Sequence, residues 1–533
     1  MCNGRGFDSR QIHQFIMNNI SNNNTKTIVV AGGGVTGYIT ALQAKQCYPS
    51  SNVTIIASDK IGILGAGEGT TPPVIETLKS VGIDMQEIIK KANGTVKAGI
   101  AFQGWTGDSS YYYHGFEDYL DLGPEMVGEN MFNYGKYFPE HYYLEHLTRY
   151  GFESGYSCAE IMNGNKVPIE LHKDQTATDH GTEYLAMHYD VGMLVKLLRE
   201  HAISQGIHTR EGIIVDIIQS SDGNISSLQL DGGEKISCDF VFDCTGFRRF
   251  IIKKLDEKLK FINTNDTLPV NSAIAYRMPH TGTGGYGING SIIRPYTVAR
   301  AMQYGWEWTI PVWEDLRRGY IYDDTTCSDD QAYDEVCTMY NRDVDIINKF
   351  KFDSGYLENF WVKNCAAIGL AGGFFEPLEA TAGMQIVGQL DMLLPCMFMT
   401  GDKYRKMVNH DAREYMEHIH DFILVHYINN KNQNDFWRKM KCTDKLQETV
   451  AMLLDEYMLP NITHRHMLQR YNMSVSAFQA ENWLAVLKGI DMIESKTSTD
   501  PIYEHGVKQF RDVVKSKISN WADHSHAIKL IHS

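Results

Sequence analysis

Two residues of this 533-residue sequence, Lys97 and Glu379, have side chains that could take part in chemistry. Lys97 lies in the stretch NGTVKAGI (residues 93–100), which is otherwise mostly apolar or glycine-rich, so we expect its ammonium to be withdrawn from water. Burial favours the neutral amine of a lysine, which is the reactive form. Glu379 follows Pro377, where a carboxylate either acts as a general base or simply begins a helix. The alternative for Lys97 is a solvated surface charge.

A glycine turn near the N-terminus predicts a dinucleotide site. Residues 27–31 (TIVVA) predict a buried strand, a helix is expected over 38–47, and residues 53–57 predict a second strand that completes a βαβ unit. Missing Cβ atoms would let the main chain approach a pyrophosphate at the positive end of the helix. The expected contacts are Gly32, Gly33, Gly34, Val35, Thr36 and Gly37. The alternative is a purely structural glycine turn.

The acidic residue that would bind ribose hydroxyls at the end of the second strand is missing. Ala57 occupies this position, so Ser58 or Asp59 would have to substitute for it. Two more segments end in small residues, DFVFDCTG (239–246), which resembles a sheet-edge segment of flavoprotein monooxygenases, and AAIGLAGG (366–373). Together with the glycine turn they favour FAD over NAD, although each alone is also typical of an ordinary strand-end turn.

These elements predict an α/β fold with a FAD-binding, Rossmann-like core of the flavoprotein monooxygenase type and a mainly helical C-terminal substrate or lid region. We expect a polar N-terminal tail over residues 1–25 and a FAD-binding core with inserted substrate-facing segments over 26–385. The helical region over 386–533 would complete the substrate site. Within the core, Asp190 predicts the start of another helix.

Composition excludes several other classes of protein. The formal charge of −15 argues against coating nucleic acid, and 43% apolar residues argue against disorder. No apolar run approaches the roughly 18 residues of a membrane span, and we expect a cytoplasmic protein. Cysteines without a CxxC pair favour reduced thiols. Histidine pairs such as His524 and His526 suggest a metal site, but neighbours at this spacing point apart on a helix, so we predict none.

The stretch GWEWTIP (residues 305–311) resembles the GWxWxIP signature of flavin-dependent halogenases. Further segments resemble the tryptophan-halogenase branch of that family. NGTVKAGI resembles the stretch with its catalytic lysine, EPLEAT (376–381) its EPLEST segment, and GAGEGT (65–70) its flavin-contacting loop. These matches occur in the family's order along most of the chain, which is therefore identified as similar to flavin-dependent halogenases.

The resemblance implies that reduced FAD (FADH2), dioxygen and a halide ion generate hypohalous acid. Lys97 would hold the halogen, either by hydrogen bonding or as a haloamine, and direct it to an aromatic ring. Glu379 would stabilise the cationic ring and accept its proton. The resemblance also implies flavin contacts at Ser58, Leu64, Ala66, Gly69, Leu370 and Gly383.

Other family positions imply a halide site and a barrier. The backbone amides of Thr381 and Ala382 would bind the halide, although Ala380 and Ala382 replace the family's serine and glycine. Trp306 and Trp308, on one face of a strand that ends at Pro311, would exclude water and organic substrates from the flavin.

The segment YYHGF (residues 112–116) resembles the family segment whose histidine and phenylalanine enclose the substrate ring, here His114 and Phe116. A packed tyrosine-rich loop is the alternative. Residues 481–491 keep only the end of the segment that grips free tryptophan. We therefore expect a simpler indole, phenol or other electron-rich arene as the substrate. Because bromide and iodide are oxidised more readily than chloride, we expect them to be favoured.

Two other functions remain open at this stage. An aromatic hydroxylase of the same fold would insert oxygen without halide, and a flavin-binding scaffold would turn over nothing. Because the sequence shows no second nucleotide fold, a halogenase would need a separate flavin reductase as its partner. The sequence leaves a homo-oligomer open.

Overall fold

The computed structural model describes residues 25–62, 68–107, 111–116, 157–172, 177–182, 185–399, 401–441, 477–478, 480–492, 508, 512 and 514–533. Two predicted flavin contacts, Leu64 and Ala66, lie outside these ranges, as do residues 1–24 of the predicted polar tail.

The strands of the described ranges are numbered along the chain. They are β1 (Thr27–Ala31), β2 (Asn52–Ala57), β3 (Thr95–Lys97), β4 (Gly99–Gln103), β5 (Tyr111–Gly115), β6 (Ile169–Leu171), β7 (Ala177–Asp179), β8 (Ala186–His188), β9 (His208–Glu211), β10 (Ile214–Gln219), β11 (Ile225–Leu230), β12 (Lys235–Ser237), β13 (Phe240–Asp243), β14 (Phe261–Asn263), β15 (Ser272–Met278), β16 (Thr297–Ala301), β17 (Gly305–Pro311), β18 (Leu316–Tyr322), β19 (Ile346–Lys351), β20 (Gly355–Leu357), β21 (Trp361–Val362), β22 (Cys365–Ala367) and β23 (Gly373–Phe374).

The α-helices are numbered in the same way. They are α1 (Val35–Cys47), α2 (Pro72–Ser80), α3 (Met85–Lys91), α4 (Ser157–Gly164), α5 (Val191–Ser204), α6 (Phe250–Leu255), α7 (Asp329–Tyr340), α8 (Thr381–Leu393), α9 (Asp402–Val425), α10 (Asp435–Met440), α11 (Ala480–Gly489) and α12 (His524–His532).

A six-stranded sheet in the order β21-β22-β13-β1-β2-β9 contains both strands of the predicted βαβ unit. Its strands from β22 to β9 run parallel, and the β1 residues Ile28 to Ala31 are fully buried, as expected of a central strand with both faces covered. The carboxyl ends of these strands meet at one edge, so the turns after β1, β2, β13 and β22 lie together.

The predicted βαβ unit is present, with one difference. The helix begins at Val35 rather than at position 38, because Gly34 adopts an extended conformation (φ −87°, ψ −177°) and the chain turns into the helix immediately after it. Asp190 caps α5, as predicted, by accepting a hydrogen bond from the backbone N–H of Met193.

A seven-stranded sheet in the order β19-β15-β18-β17-β16-β4-β5 forms the second layer. Every residue of β17 is buried. Side chains alternate between the two faces of β17, so Trp306 and Trp308 lie on one face and Glu307 on the other. The Glu307 carboxylate accepts hydrogen bonds from Arg318 and Tyr340. The indole of Trp308 lies directly over Gly319 of β18, where a Cβ atom would fall 2.0 Å from the ring. Gly319 therefore makes the space that Trp308 occupies.

Lys97 ends β3, which pairs with β8, and Ala98 joins β3 to β4 of the larger sheet. Further along the chain the described residues become mainly helical. Helix α8 runs through position 385 and packs against α9, while the predicted division into domains stays a prediction. No helix of the described ranges is both long and apolar enough to cross a bilayer.

Candidate active site

One cavity of about 1310 Å³ brings together most of the residues predicted to act. Its lining includes Gly32, Gly33, Gly34, Val35, Thr36, Ser58, Gly69, Lys97, Trp306, Trp308, Leu370, Glu379, Ala382 and Gly383. Five predicted residues are not part of this lining, namely Gly37, His114, Phe116, Pro311 and Thr381. The glycine turn and the Lys97–Glu379 region thus line the same cavity.

The glycine turn packs closely against the protein at Gly33 and Gly37 but not at Gly34. A Cβ atom at Gly33 would lie 2.5 Å from that of Ala57, and one at Gly37 would lie 1.9 Å from the carbonyl oxygen of Gly32. At Gly34 a Cβ atom would meet nothing within 4 Å, so the main chain is open to the cavity there. No side chain caps the start of α1 at Gly34, which leaves the positive helix end for an anion.

The carboxylate missing from the end of β2 is supplied by another strand. Glu211, the last residue of β9, accepts hydrogen bonds from Ser58 Oγ (2.8 Å) and from the backbone N–H of Asp59 (3.2 Å). Glu211 also lines the cavity. Sequence reasoning missed it because the strand pairing that brings β9 beside β2 is non-local.

Lys97 is buried, as its surroundings predict, with 1% of its surface exposed. Its ammonium donates to the carbonyl oxygen of Thr70 at 2.9 Å and lies 4.9 Å from the centroid of the Phe116 ring. Burial lowers the pKa of Lys97 to about 7, a change that the Glu379 charge partly opposes. At neutral pH this residue is thus divided between ammonium and amine.

Glu379 lies in a turn whose backbone is strained. Glu379 (φ 64°) and Ala380 (φ 53°) both adopt the left-handed conformation, at a cost of roughly 1–3 kcal/mol each in non-glycine residues. Helix α8 begins at the next residue, so the turn fixes both the carboxylate and the helix start. Such strain persists only where the surrounding structure enforces it, as the full burial of Glu379 indicates.

Two histidines hold the Glu379 carboxylate. His114 Nδ1 lies 2.8 Å from Oε2, and His426 Nε2 lies 3.0 Å from Oε1. Burial alone would raise the pKa of Glu379, but the charges and hydrogen bonds of the histidines outweigh it and hold this pKa well below its usual range. Burial alone would lower the pKa of His114, but the charge and hydrogen bond of Glu379 outweigh burial and raise this pKa. The site therefore holds a carboxylate, not a carboxylic acid, at neutral pH.

The rings of His114 and Phe116 lie 6.5 Å apart between centroids, at 71° to each other. His114 is fully buried, and its second nitrogen, Nε2, lies 2.8 Å from Asn482 Oδ1 of α11. The structure thus gives His114 polar partners that sequence reasoning did not anticipate. Enclosure of a substrate ring by His114 and Phe116 stays a prediction.

Trp306 and Trp308 line the cavity side by side, with ring centroids 6.3 Å apart. The strand that carries them ends at Pro311, whose carbonyl oxygen accepts a hydrogen bond from Thr95 Oγ1. This hydrogen bond links β17, which contains the predicted barrier residues, to β3, which contains Lys97.

The predicted halide residues begin α8. Ala382 and Gly383 line the cavity, whereas Thr381 is buried and its hydroxyl donates to the carbonyl oxygen of Leu378 at 3.4 Å. The first N–H groups of a helix have no partner within the helix, so those of Thr381 and Ala382 are available to an anion.

Three further residues, His426, Asn482 and Tyr427, contact the site although no motif in the sequence indicates them. His426 directly follows α9 and reaches Glu379 across the turn. Tyr427 OH donates to Glu376 Oε1. Asn482 reaches His114 because α11 packs on β5, and His426 and Tyr427 reach their partners from the residues that follow α9.

Within the described ranges, no group of three or more His, Cys, Asp or Glu side chains is placed to hold a metal ion. His524 and His526 lie apart, since His524 contacts β3 and His526 stacks on Tyr286 with centroids 4.3 Å apart.

Comparison with solved structures confirms the predicted fold class. A crystal structure of tryptophan 6-halogenase SttH from Streptomyces toxytricini matches with a TM-score of 0.78 at 24% identity, covering 95% of this chain and 100% of that one. The flavin-dependent halogenase BrvH from Brevundimonas sp. BAL3 matches with a TM-score of 0.76 at 23% identity, covering 96% and 100%.

Sequence comparison gives the family. Tryptophan 7-halogenase RebH of Lentzea aerocolonigenes is 28% identical over 447 residues, or 80% of this chain and 81% of that protein. Tryptophan 6-halogenase SttH of Streptomyces toxytricini is 27% identical over 440 residues, or 78% and 81%. A family model described as tryptophan halogenase matches residues 27–504. With a match over this length, the chain belongs to the tryptophan halogenase family, whose members are flavin-dependent oxidoreductases.

Proposed function

We propose that this chain halogenates an electron-rich arene of indole or phenol type, with bromide or iodide preferred. One observation carries the proposal: the buried Lys97 and Glu379 line the same cavity as the glycine turn. A small oxidised halogen can then pass from one region to the other without entering bulk solvent.

The cavity fits FAD, which when bound as FADH2 would supply the reduction of dioxygen and the oxidation of halide. The main chain from Gly32 to Thr36 would hold the pyrophosphate against the start of α1. Ser58 and Glu211 would bind the ribose hydroxyls. Elsewhere in the lining, FAD would approach the chain closely at Gly69, Leu370 and Gly383.

Lys97 would capture the halogen and present it to the substrate. Its burial keeps it apart from competing solvent, and its lowered pKa makes the amine available near neutral pH. An amine can be halogenated at nitrogen, and an N–X bond close to one ring carbon restricts the site of substitution.

Glu379 would oppose the positive charge that develops on the ring and take the ring proton. As the ring carbon takes the halogen, the N–X bond breaks and its electron pair stays on the Lys97 nitrogen. The ring cation then loses its proton to the Glu379 carboxylate, and the C–H electron pair returns to the ring. A fixed anion suits this role because the ring cation is strongly acidic and needs only a weak base.

The halide would bind at the start of α8, on the N–H groups of Thr381 and Ala382. Trp306 and Trp308 would limit access of water and arene to the flavin. His114 and Phe116 would orient the arene.

A screen of halides against arenes tests the proposal. The purified chain is supplied with FAD, NADH, a generic flavin reductase and chloride, bromide or iodide in turn, together with indoles and phenols, and product masses are measured. We expect organohalides with bromide and iodide, and a fall in Lys97→Ala to the level that free hypohalous acid produces. Glu379→Gln should lower halogenation by about a hundredfold or more while flavin oxidation continues.

An aromatic hydroxylase is the competing function. It would give oxygenated products without halide, consume NADPH without an added reductase, and keep its rate in Lys97→Ala. Products of that kind would contradict both the halogenase and its dependence on a separate reductase.

A further inference from the structure

His188, the last residue of β8, is fully buried and has a hydroxyl partner at each ring nitrogen. Nδ1 lies 3.1 Å from Thr95 Oγ1, and Nε2 lies 2.9 Å from Thr297 Oγ1. Thr95 gives its one hydroxyl proton to the carbonyl oxygen of Pro311, so the proton shared with His188 must belong to Nδ1. Burial, with the Lys97 charge, holds the pKa of His188 well below its usual range, so the ring is neutral and Nε2 carries no proton.

Thr297, the first residue of β16, therefore donates its hydroxyl proton to His188. Among the residues that the structure describes, nothing donates to Thr297 Oγ1 in return. Thr297 also belongs to the lining of the cavity. The cavity thus has an oxygen at this position that can accept a hydrogen bond and cannot donate one.

The Thr297 hydroxyl lies near the Lys97 amine. A Cβ atom on Gly69 would lie 3.6 Å from Lys97 Nζ and 3.7 Å from His188 Cδ2, which is the ring carbon bonded to Nε2. Thr297 Oγ1 is hydrogen-bonded to that same Nε2. Gly69, Lys97 and Thr297 all line the cavity, so the amine and the accepting oxygen face it from neighbouring positions.

Other polar groups described around Lys97 are already engaged. Thr70 Oγ1 donates to one backbone carbonyl at 3.1 Å and accepts from a backbone N–H at 2.8 Å. Each oxygen of Glu379 is hydrogen-bonded to a histidine, and Ala380, which follows it in the lining, has no hydroxyl. Of these groups, Thr297 alone combines a place in the lining with an open acceptor position.

We propose that Thr297 binds hypohalous acid next to Lys97, with Oγ1 accepting the O–H of the acid so that its halogen is directed at the amine. This inference rests on the proposed function. An oxygen that only accepts selects the neutral acid, which is electrophilic, over the hypohalite anion, which has no proton to donate. The Lys97 nitrogen then takes the halogen, and the O–X electron pair stays on oxygen. That oxygen leaves as water with the proton that the nitrogen loses.

Two pairs of proteins, each differing only in one hydroxyl, test the inference. They are the wild type with Thr297→Val, and Thr297→Ser with Thr297→Ala. Each protein is supplied with flavin reductase, NADH, FAD, bromide, an indole and a dimedone-type scavenger. Loss of the hydroxyl should lower the ratio of bromoindole to captured hypobromous acid about three- to tenfold in both pairs, as expected for one hydrogen bond. The total of the two products should change less than about twofold.

The pH dependence of that ratio separates binding from a structural effect. Because the pKa of Lys97 is lowered to about 7 by burial, the ratio should rise through about pH 7 in all four proteins. A midpoint that moves when the hydroxyl is lost would show that Lys97 itself has been displaced, and would overturn the inference. If Thr297→Val forms no hypobromous acid, the comparison of Thr297→Ser with Thr297→Ala decides.

Thr309→Val is the matched control. Thr309 is a buried threonine of the neighbouring strand β17 and lies outside the cavity lining, so this variant should keep the wild-type ratio. An equal fall in Thr309→Val, an unchanged ratio in Thr297→Val, or equal ratios in Thr297→Ser and Thr297→Ala would each contradict the inference alone. A wild-type protein that yields neither bromoindole nor captured acid contradicts the proposed function instead.

Discussion

Lys97 shows how burial changes the chemistry of a common side chain. In water a lysine is almost entirely an ammonium at neutral pH and a poor acceptor of halogen. Here the enclosed space between β3, Phe116 and Thr70 lowers the pKa of Lys97 to about 7, while Glu379 remains charged nearby. In the proposed mechanism this buried pair supplies a nucleophilic amine and a fixed anion at the same pH.

The proposed amine form of Lys97 predicts a pH dependence. Because the pKa of Lys97 is lowered to about 7, the neutral fraction increases as pH rises through that value. Arene halogenation, divided by the rate of hypohalous acid formation, should therefore rise through about pH 7 and level off above it. A ratio that falls over this interval would show that the ammonium is the active form.

Glu376 predicts a pH-dependent stability. Burial raises the pKa of Glu376 from its ordinary 4.5 to about 8, so between these values the folded chain holds a proton that the unfolded chain has released. Stability must then fall as pH rises through this window. Glu376→Gln removes the dependence, and its free energy of unfolding relative to the wild type should increase by on the order of 3–4 kcal/mol between about pH 5 and pH 8. Thermal denaturation at the two pH values measures it, and a constant difference contradicts it.

Among the elements, the C-terminal helix α12 supports the strand that carries Lys97. His524 Nε2 accepts from the backbone N–H of Val96 at 3.1 Å, and Nδ1 lies 2.8 Å from the carbonyl oxygen of Ile293. Burial lowers the pKa of His524 to about 4, which keeps the ring neutral with one donor and one acceptor, as these contacts require. The last residues of the chain thus help to place the reactive amine.

His524→Ala should therefore affect both stability and coupling. It leaves the Val96 N–H without a partner and removes one of the two side-chain contacts of the Ile293 carbonyl, which keeps Ser525 Oγ as a donor, at a cost of about 1–3 kcal/mol. Displacement of β3 should also raise the share of hypohalous acid that escapes to a scavenger. His526→Ala is the matched control, because His526 stacks on Tyr286 and does not touch β3. Equal effects of the two substitutions on both readouts would contradict a supporting role for His524.

The sequence predicts local elements well and non-local contacts poorly. Short-range patterns located β1, the glycine turn and the cap of α5, since these depend on neighbouring residues. The apolar stretch around Lys97 also predicted its burial. Glu211 beside Ser58 and His426 beside Glu379 depend instead on strand order and helix packing, for which the linear sequence carries no comparable signal.

At the scale of the whole molecule, the cavity lies where the two large sheets and the helices meet. The six-stranded sheet contributes the turns after β1 and β13, the seven-stranded sheet contributes Trp306 and Trp308, and the turn before α8 contributes Glu379. No one element contains both the glycine turn and Lys97. Their connection through enclosed space is the central claim of the proposed mechanism.

Competition with a scavenger tests that connection most directly. Wild-type protein and Lys97→Ala are each supplied with reductase, FAD, bromide and an indole, with and without an excess of a dimedone-type trap for free hypohalous acid. We expect wild-type bromoindole to be nearly unchanged by the trap, whereas any product of Lys97→Ala should disappear. Loss of the wild-type product in the presence of the trap would show that the halogen passes through bulk solvent, and would contradict the account.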